Sequence, residues 1–134
     1  MTLPKMRVID GERLAAQPVS LEHVRDIEYF DGPLLSLFQD RDGQPWIYYW
    51  CDCDEQHNRW LMFRSTLTEV VAYMKRDKSL LDLIRSGGEH YAIDCRSYEP
   101  EHVLRIKLDA SWPDDYLPEP DAFYEEALRP KSSP

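Results

Sequence analysis

Between Asp31 and Arg64 the chain alternates short β-prone runs with turn residues, and this punctuation constrains the fold more than any other feature. Asp31-Gly32-Pro33 is a turn, and Leu34 to Gln39 is a short apolar run. Asp40-Arg41-Asp42-Gly43 is a four-residue hairpin turn in which Gly43 can supply a positive φ. Trp46 to Cys53 is rich in aromatic and β-prone residues. Asp54 to Asn58 turns the chain again, and Arg59 to Arg64 returns it. The stretch predicts a three-stranded antiparallel meander.

Two helices are expected next. Thr66 and Glu69 have capping-box spacing ahead of an apolar stripe of Leu67, Val70, Val71 and Met74. Ser79 caps a shorter helix, Leu80 to Ile84, which Gly87-Gly88 stops. His90 to Cys95 and His102 to Leu108 predict two further strands, joined by a turn around Ser97 to Glu101. Ahead of the meander, Ser20 as N-cap and Leu21, Val24 and Ile27 at helical spacing predict a helix over 20–30, although its end also reads as a strand leading to Phe30. Leu14-Ala15-Ala16 suits a short helix before Pro18. The expected fold class is α+β: an antiparallel sheet of about five strands, meander plus hairpin, with two helices packed on one face. Residues 1–20 form an N-terminal extension, 21–108 the α+β body, and 109–134 a tail.

That tail is different in kind. Between Asp109 and Ala127 there are seven acids and no lysine or arginine, with Trp112, Tyr116, Phe123 and Tyr124 among them. A solvated linker does not carry so many large rings, so they are expected to dock on the domain or on a partner. The whole chain has a formal charge of −9, from 25 acids against 16 bases. Such a balance repels phosphate backbones and anionic membrane surfaces, and it favours a basic protein partner over nucleic acid. At 134 residues the chain can bury a core without disulfides or metal. No apolar run approaches the roughly 18 residues that span a bilayer. The N-terminus lacks an export segment and the three cysteines are an odd number, so a cytoplasmic location is expected.

The stretch YYWCDCDEQHNRW, residues 48–60, is the one place that looks like chemistry. Strand alternation puts Trp46, Tyr48, Trp50 and Asp52 on one face and Ile47, Tyr49, Cys51 and Cys53 on the other. Cys51 and Cys53 then lie about 6.6 to 6.8 Å apart at the rise of a strand, at the outer edge of disulfide geometry. Cys51, Cys53 and His57, with Cys95 or His90 from a distant strand, offer an N/S set for zinc, but C-x-C with a lone histidine is a weak pattern. A thiol nucleophile needs a base and oxyanion donors, and a hairpin turn offers neither in recognisable form. The remaining reading is small buried residues on a core face. Arg59 and Arg64 are placed to pair with Asp52 or Asp54 across the hairpin. No phosphate loop, serine elbow or zinc-protease motif occurs elsewhere.

Both faces of the Trp46–Cys53 strand are apolar, so each needs a cover. The helices can cover one and the aromatic tail the other; an uncovered row of Tyr48, Trp50 and Trp60 would be a binding surface. The layout YFDGPLLSLFQDRDGQPWIYYWCDCDEQHNRW, then LMFRSTLTEVVAYMKRDKSLLDLI, then DDYLPEPDAFY, resembles a family of small bacterial domains of unknown function. The resemblance implies a small α+β domain and a bacterial cytosolic accessory protein, and it implies no activity. The expected function is a non-catalytic protein–protein interaction module, regulatory, antitoxin-like or immunity-like, without a cofactor. Its expected contacts are Tyr48, Trp50, Trp60, Trp112 and Tyr116; the alternative is a zinc protein using Cys51, Cys53, His57 and Cys95.

Overall fold

The computed structural model describes residues 3–130 and arranges them around one antiparallel sheet. Its strands are β1 (Glu12–Leu14), β2 (Glu22–Tyr29), β3 (Pro33–Gln39), β4 (Pro45–Cys53), β5 (Asn58–Arg64), β6 (Gly88–Arg96) and β7 (Glu99–Ile106). They lie in the order β1-β7-β6-β5-β4-β3-β2. Helices α1 (Leu67–Met74) and α2 (Leu80–Ser86) are inserted between β5 and β6. The class is α+β as expected, but the sheet has seven strands rather than about five.

The meander forms where the turns demand it. Asp40 Oδ1 accepts from the backbone N–H groups of Asp42 (2.9 Å) and Gln44 (3.0 Å), while Oδ2 accepts from Trp46 Nε1 (3.0 Å). Gly43 takes a φ of +79°, which closes the β3–β4 turn. Thr66 and Ser79 cap the two helices by accepting from the backbone N–H of Glu69 and of Asp82. In α1 the buried residues are Val70 and Tyr73, while Leu67, expected in the apolar stripe, stands exposed.

Both added strands come from the N-terminal part of the chain, where the hydrophobic pattern misleads. The stretch expected as a helix over 20–30 holds strand β2 over 22–29 instead, which pairs with β3 through three register irregularities, between His23 and Arg25, Asp26 and Glu28, and Glu28 and Tyr29. Each bulge rephases the side chains, so the strand does not alternate and its apolar residues fall at helix-like intervals. Ile27 is fully buried while Val24 faces solvent. Leu14, expected in a short helix, ends β1 opposite Val103 of β7.

β1 and β2 are the two outermost strands, yet only residues 15–21 join them. Eight residue steps reach at most ~29 Å, and six inter-strand spacings cover ~29 Å in a flat sheet. A connection that must also climb over side chains is too short for a flat sheet, so the sheet curls towards it. The crossing is pinned midway: Gln17 Nε2 donates to the Tyr48 hydroxyl at 2.8 Å and lies 3.7 Å from Met62 Sδ. This strap, with Val19 and Leu21, packs against a cluster of Trp46, Tyr48, Trp60, Met62, Tyr91, Ile93, Cys95 and Val103.

The opposite face carries the larger cluster. Ile47, Leu61, Phe63 and Ala92 of the sheet meet Val70 and Tyr73 of α1, Leu80, Leu83 and Ile84 of α2, and Trp112, Tyr116 and Tyr124 of the tail. Ala122 accepts the N–H of Leu80 at 2.8 Å, tying the tail to the start of α2.

Glu28, 7% exposed, lies on this side and accepts from the Tyr73 hydroxyl. Burial raises its carboxyl above the ordinary glutamate value, and the Tyr73 hydrogen bond opposes this only in part. A folded value above the unfolded one adds stability at low pH, and that contribution is lost as pH rises through the raised value. Glu28→Gln, which keeps an acceptor for Tyr73 and never ionises, is expected to raise the urea midpoint at pH 8. The gain should shrink towards pH 4; urea titrations of both proteins across that range check it.

Candidate functional site

The β4–β5 hairpin departs from simple alternation at one point, and the departure decides where its polar residues go. Trp50 pairs with Trp60, but Asp52 then pairs with Arg59, so Cys51 is the extra residue of a bulge. Beyond the bulge the faces exchange. Asp52 is expected beside Trp50, yet it accepts from the Tyr116 hydroxyl at 2.5 Å on the tail side. Cys51 packs against the larger cluster on that same side. Cys53 pairs with Asn58, and Asn58 accepts from Trp50 Nε1 at 2.9 Å, which places Cys53 on the strap side. The two cysteines therefore do not share a face.

Nor do the four expected zinc ligands converge. Cys95 is buried in the strap-side cluster, across the sheet from Cys51. Asn58 separates Cys53 from Cys95 in the register, leaving them two strand spacings apart, about 10 Å. Burial raises the Cys51 thiol strongly and that of Cys95 to about 11; Cys53 is raised by desolvation and by Asp52 and Asp54. All three resist ionisation near neutral pH, the opposite of what a thiol nucleophile requires.

Arg59 does not pair with Asp52 or Asp54. Its guanidinium forms a bidentate pair with Asp94 of β6, at 2.8 and 3.0 Å, and both side chains are buried. Nη1 also donates to the Arg7 carbonyl (2.8 Å) and to the Tyr116 hydroxyl (3.1 Å). The Tyr116 ring has the guanidinium carbons of Arg7 and Arg59 at 5.6 and 5.8 Å from its centroid. Arg7 in turn grips Asp115 with two contacts of 2.6 Å. Arg64 pairs with Glu89 instead, at 3.1 Å. Trp112 and Tyr116, expected as partner contacts, are each 3% exposed within the larger cluster, so the molecule itself uses them.

The strap leaves part of its own face open. Phe30, Asp31, Gly32, Pro33, Leu34, Trp50, Asn58, Trp60 and Tyr98 line a groove of about 410 Å³. It continues through Pro33, Trp60 and Tyr98 into a second hollow of about 320 Å³, bounded by His23, Asp26, Ser36, Phe38, Tyr48 and Cys95. Tyr48, Trp50 and Trp60 are thus brought to one surface. Tyr48 and Trp60 belong to a series of tilted ring contacts: Phe38 and Tyr48 centroids lie 4.5 Å apart, and Tyr48 and Trp60 6.1 Å apart. Asp26 accepts from Ser36 Oγ at 2.7 Å and contacts His23 Nε2 at 2.9 Å, which leaves a carboxylate at the edge of the hollow.

Two rings of the groove escape sequence reading, Phe30 and Tyr98, at 72% and 82% exposure. Tyr98 is the less expected. Ser97 and Tyr98 form a two-residue hairpin turn with φ of +49° and +70°. Asparagine and glycine suit such a turn, whereas a large side chain there is a conformational outlier. The structure keeps this ring at a cost, and the ring lines both hollows. No sequence signal marked it, because the strand pairing that makes Ser97-Tyr98 a tight turn depends on a bulge between Asp94 and Cys95.

No helix among the described residues is long and apolar enough to cross a membrane. No protein-family model, curated protein or solved structure matches the chain.

Proposed function

We propose that the protein is a non-catalytic interaction module, an accessory or regulatory subunit of antitoxin-like or immunity-like kind, acting in a bacterial cytoplasm. Its contact surface is the groove of Phe30, Trp50, Trp60 and Tyr98, and its partner is a protein that presents lysine or arginine side chains. The carrying observation is the pair of unpacked rings, Phe30 and Tyr98, facing half-buried Trp50 and buried Trp60 beside Asp31. Aromatic faces with a carboxylate at the rim favour a cation that is partly stripped of water. A chain charge of −9 attracts the same partner from a distance. The upshifted thiols support the non-catalytic part of the reading.

Tyr98→Gly separates binding from folding. Relief of a left-handed residue is worth about 1–2 kcal/mol, against an added chain entropy of about 0.5–1 kcal/mol for glycine. The variant is therefore expected to be as stable as the parent or more so. Native mass spectrometry of the protein purified gently from its host should show a basic chain bound to the parent and absent from Tyr98→Gly and Trp50→Ala. A partner retained by both folded variants, or an acidic one, would place the contact surface elsewhere.

A further inference from the structure

At the end of the β4–β5 hairpin the chain gathers a second group of polar side chains, separate from the groove. The turn that closes the hairpin carries His57, and β7 supplies Glu101 and His102. Glu101 Oε1 lies 3.2 Å from His57 Nε2 and 3.8 Å from His102 Nε2. The two imidazole rings are 5.7 Å apart, centroid to centroid. One donor atom from each residue falls within 4.8 Å of the other two, and among the described residues no other histidine, cysteine or carboxylate group of three or more meets that condition. We propose that His57, Glu101 and His102 bind one divalent ion of the zinc class, stapling the β4–β5 turn to β7 across the end of β6.

Three features of the geometry support it. Zinc bonds of about 2.0–2.2 Å in a tetrahedron put neighbouring donor atoms roughly 3.3–3.5 Å apart. The observed separations therefore need only small side-chain movements to close. Second, His57 Nε2 is shielded from solvent and has no well-aligned hydrogen bond, although Glu101 is within 3.2 Å. The imidazole is 13% exposed, and the Glu101 Oε1 that lies 3.2 Å from this nitrogen is the contact a bound ion would replace. Third, Asp54 Oδ1 lies 3.6 Å from His57 Nδ1 and is itself held by the backbone N–H groups of Gln56 and His57. At 3.6 Å this carboxylate is just beyond hydrogen-bond reach of Nδ1, and a small rotation of the ring would bring it to the position from which a carboxylate supports a histidine ligand.

Two cations compete for the same groups. Arg96 holds Glu101, with Nε 2.8 Å from Oε2, and this contact, followed by that of His57, keeps the Glu101 carboxyl down at about 2. Arg13 Nη2 lies 3.4 Å from His102 Nδ1. Arg96 Nη2 also reaches Oε1, at 3.4 Å, so an ion bound to Oε1 displaces this longer contact while Nε keeps Oε2. The arginines lower the affinity without closing the site, which leaves the fourth position to solvent. Unlike the C-x-C hairpin, the set contains no sulfur.

Isothermal titration of chelator-treated protein with zinc chloride tests the site, with cobalt(II) as a spectroscopic probe. The expected result is one ion per chain and a cobalt spectrum without the near-ultraviolet thiolate band. His102 is 40% exposed, so His102→Gln should fold normally and weaken binding by roughly tenfold or more. Arg96→Ala removes a competing cation and is expected to tighten binding, a gain that damage to the fold cannot imitate. The proposal is overturned by the absence of stoichiometric binding, by a cobalt–thiolate band, or by undiminished affinity in folded His102→Gln.

Discussion

Arg59→Met is expected to destabilise the protein by about 3–5 kcal/mol, the cost of breaking a buried ion pair from one side. Arg59 and Asp94 are 5% and 7% exposed, and the pair joins the central strand β5 to its neighbour β6. Removing the guanidinium strands the Asp94 carboxylate and deprives the Arg7 carbonyl and the Tyr116 hydroxyl of a donor. The tail and the N-terminal segment both loosen, because Tyr116 and Arg7 meet at this one side chain. Replacing both partners, Arg59→Met with Asp94→Leu, should recover a large part of the loss, since no charge is then left buried. Urea unfolding of the two single variants and the double variant completes a cycle. A single-variant cost below about 1 kcal/mol would mean that water already reaches the pair.

Trp112→Ala is expected to cost about 3–5 kcal/mol, as for a large ring removed from a core. The ring is 3% exposed, packs edge-on to Tyr116 at 5.3 Å, and belongs to the same cluster as Phe63 and Ile84. Trp112→Phe should cost much less. The indole N–H is buried and finds no acceptor among the described residues, so its loss leaves no partner stranded. Thermal or urea unfolding of the two variants distinguishes a core residue from a contact residue. If Trp112→Ala kept full stability, the tail would be a loosely held arm and its rings would again be candidates for a partner.

Legibility followed local chemistry. The β3–β4–β5 meander and both helix caps were readable because each depends on residues only a few positions apart: Asp40 with Gln44, Thr66 with Glu69, Ser79 with Asp82. β2 was not readable, since its three bulges destroy the alternation that identifies a strand. The same cause moved Asp52 and Cys53 to faces opposite those expected: one extra residue, Cys51, exchanges everything beyond it. Of the candidate contacts, Tyr48, Trp50 and Trp60 reach the groove, whereas Trp112 and Tyr116 lie in the core behind it. Glu101 and His102 stand 44 and 45 positions after His57, too far apart for spacing to associate them.

The sequence by itself determined the α+β class, the meander, the caps and the surplus of rings on both faces of β4, because turns, caps and side-chain alternation are short-range effects. Only the tertiary structure decided how those faces are covered. The seven-residue link between the outermost strands has to cross one face and curl the sheet, while the tail joins the helices on the other. That division of cover leaves Phe30 and Tyr98 in the open, packs Trp112 and Tyr116 away, and brings His57 to Glu101 and His102. Strand order and bulge placement set these outcomes, and both are settled by the packing of distant segments, not by neighbours along the chain.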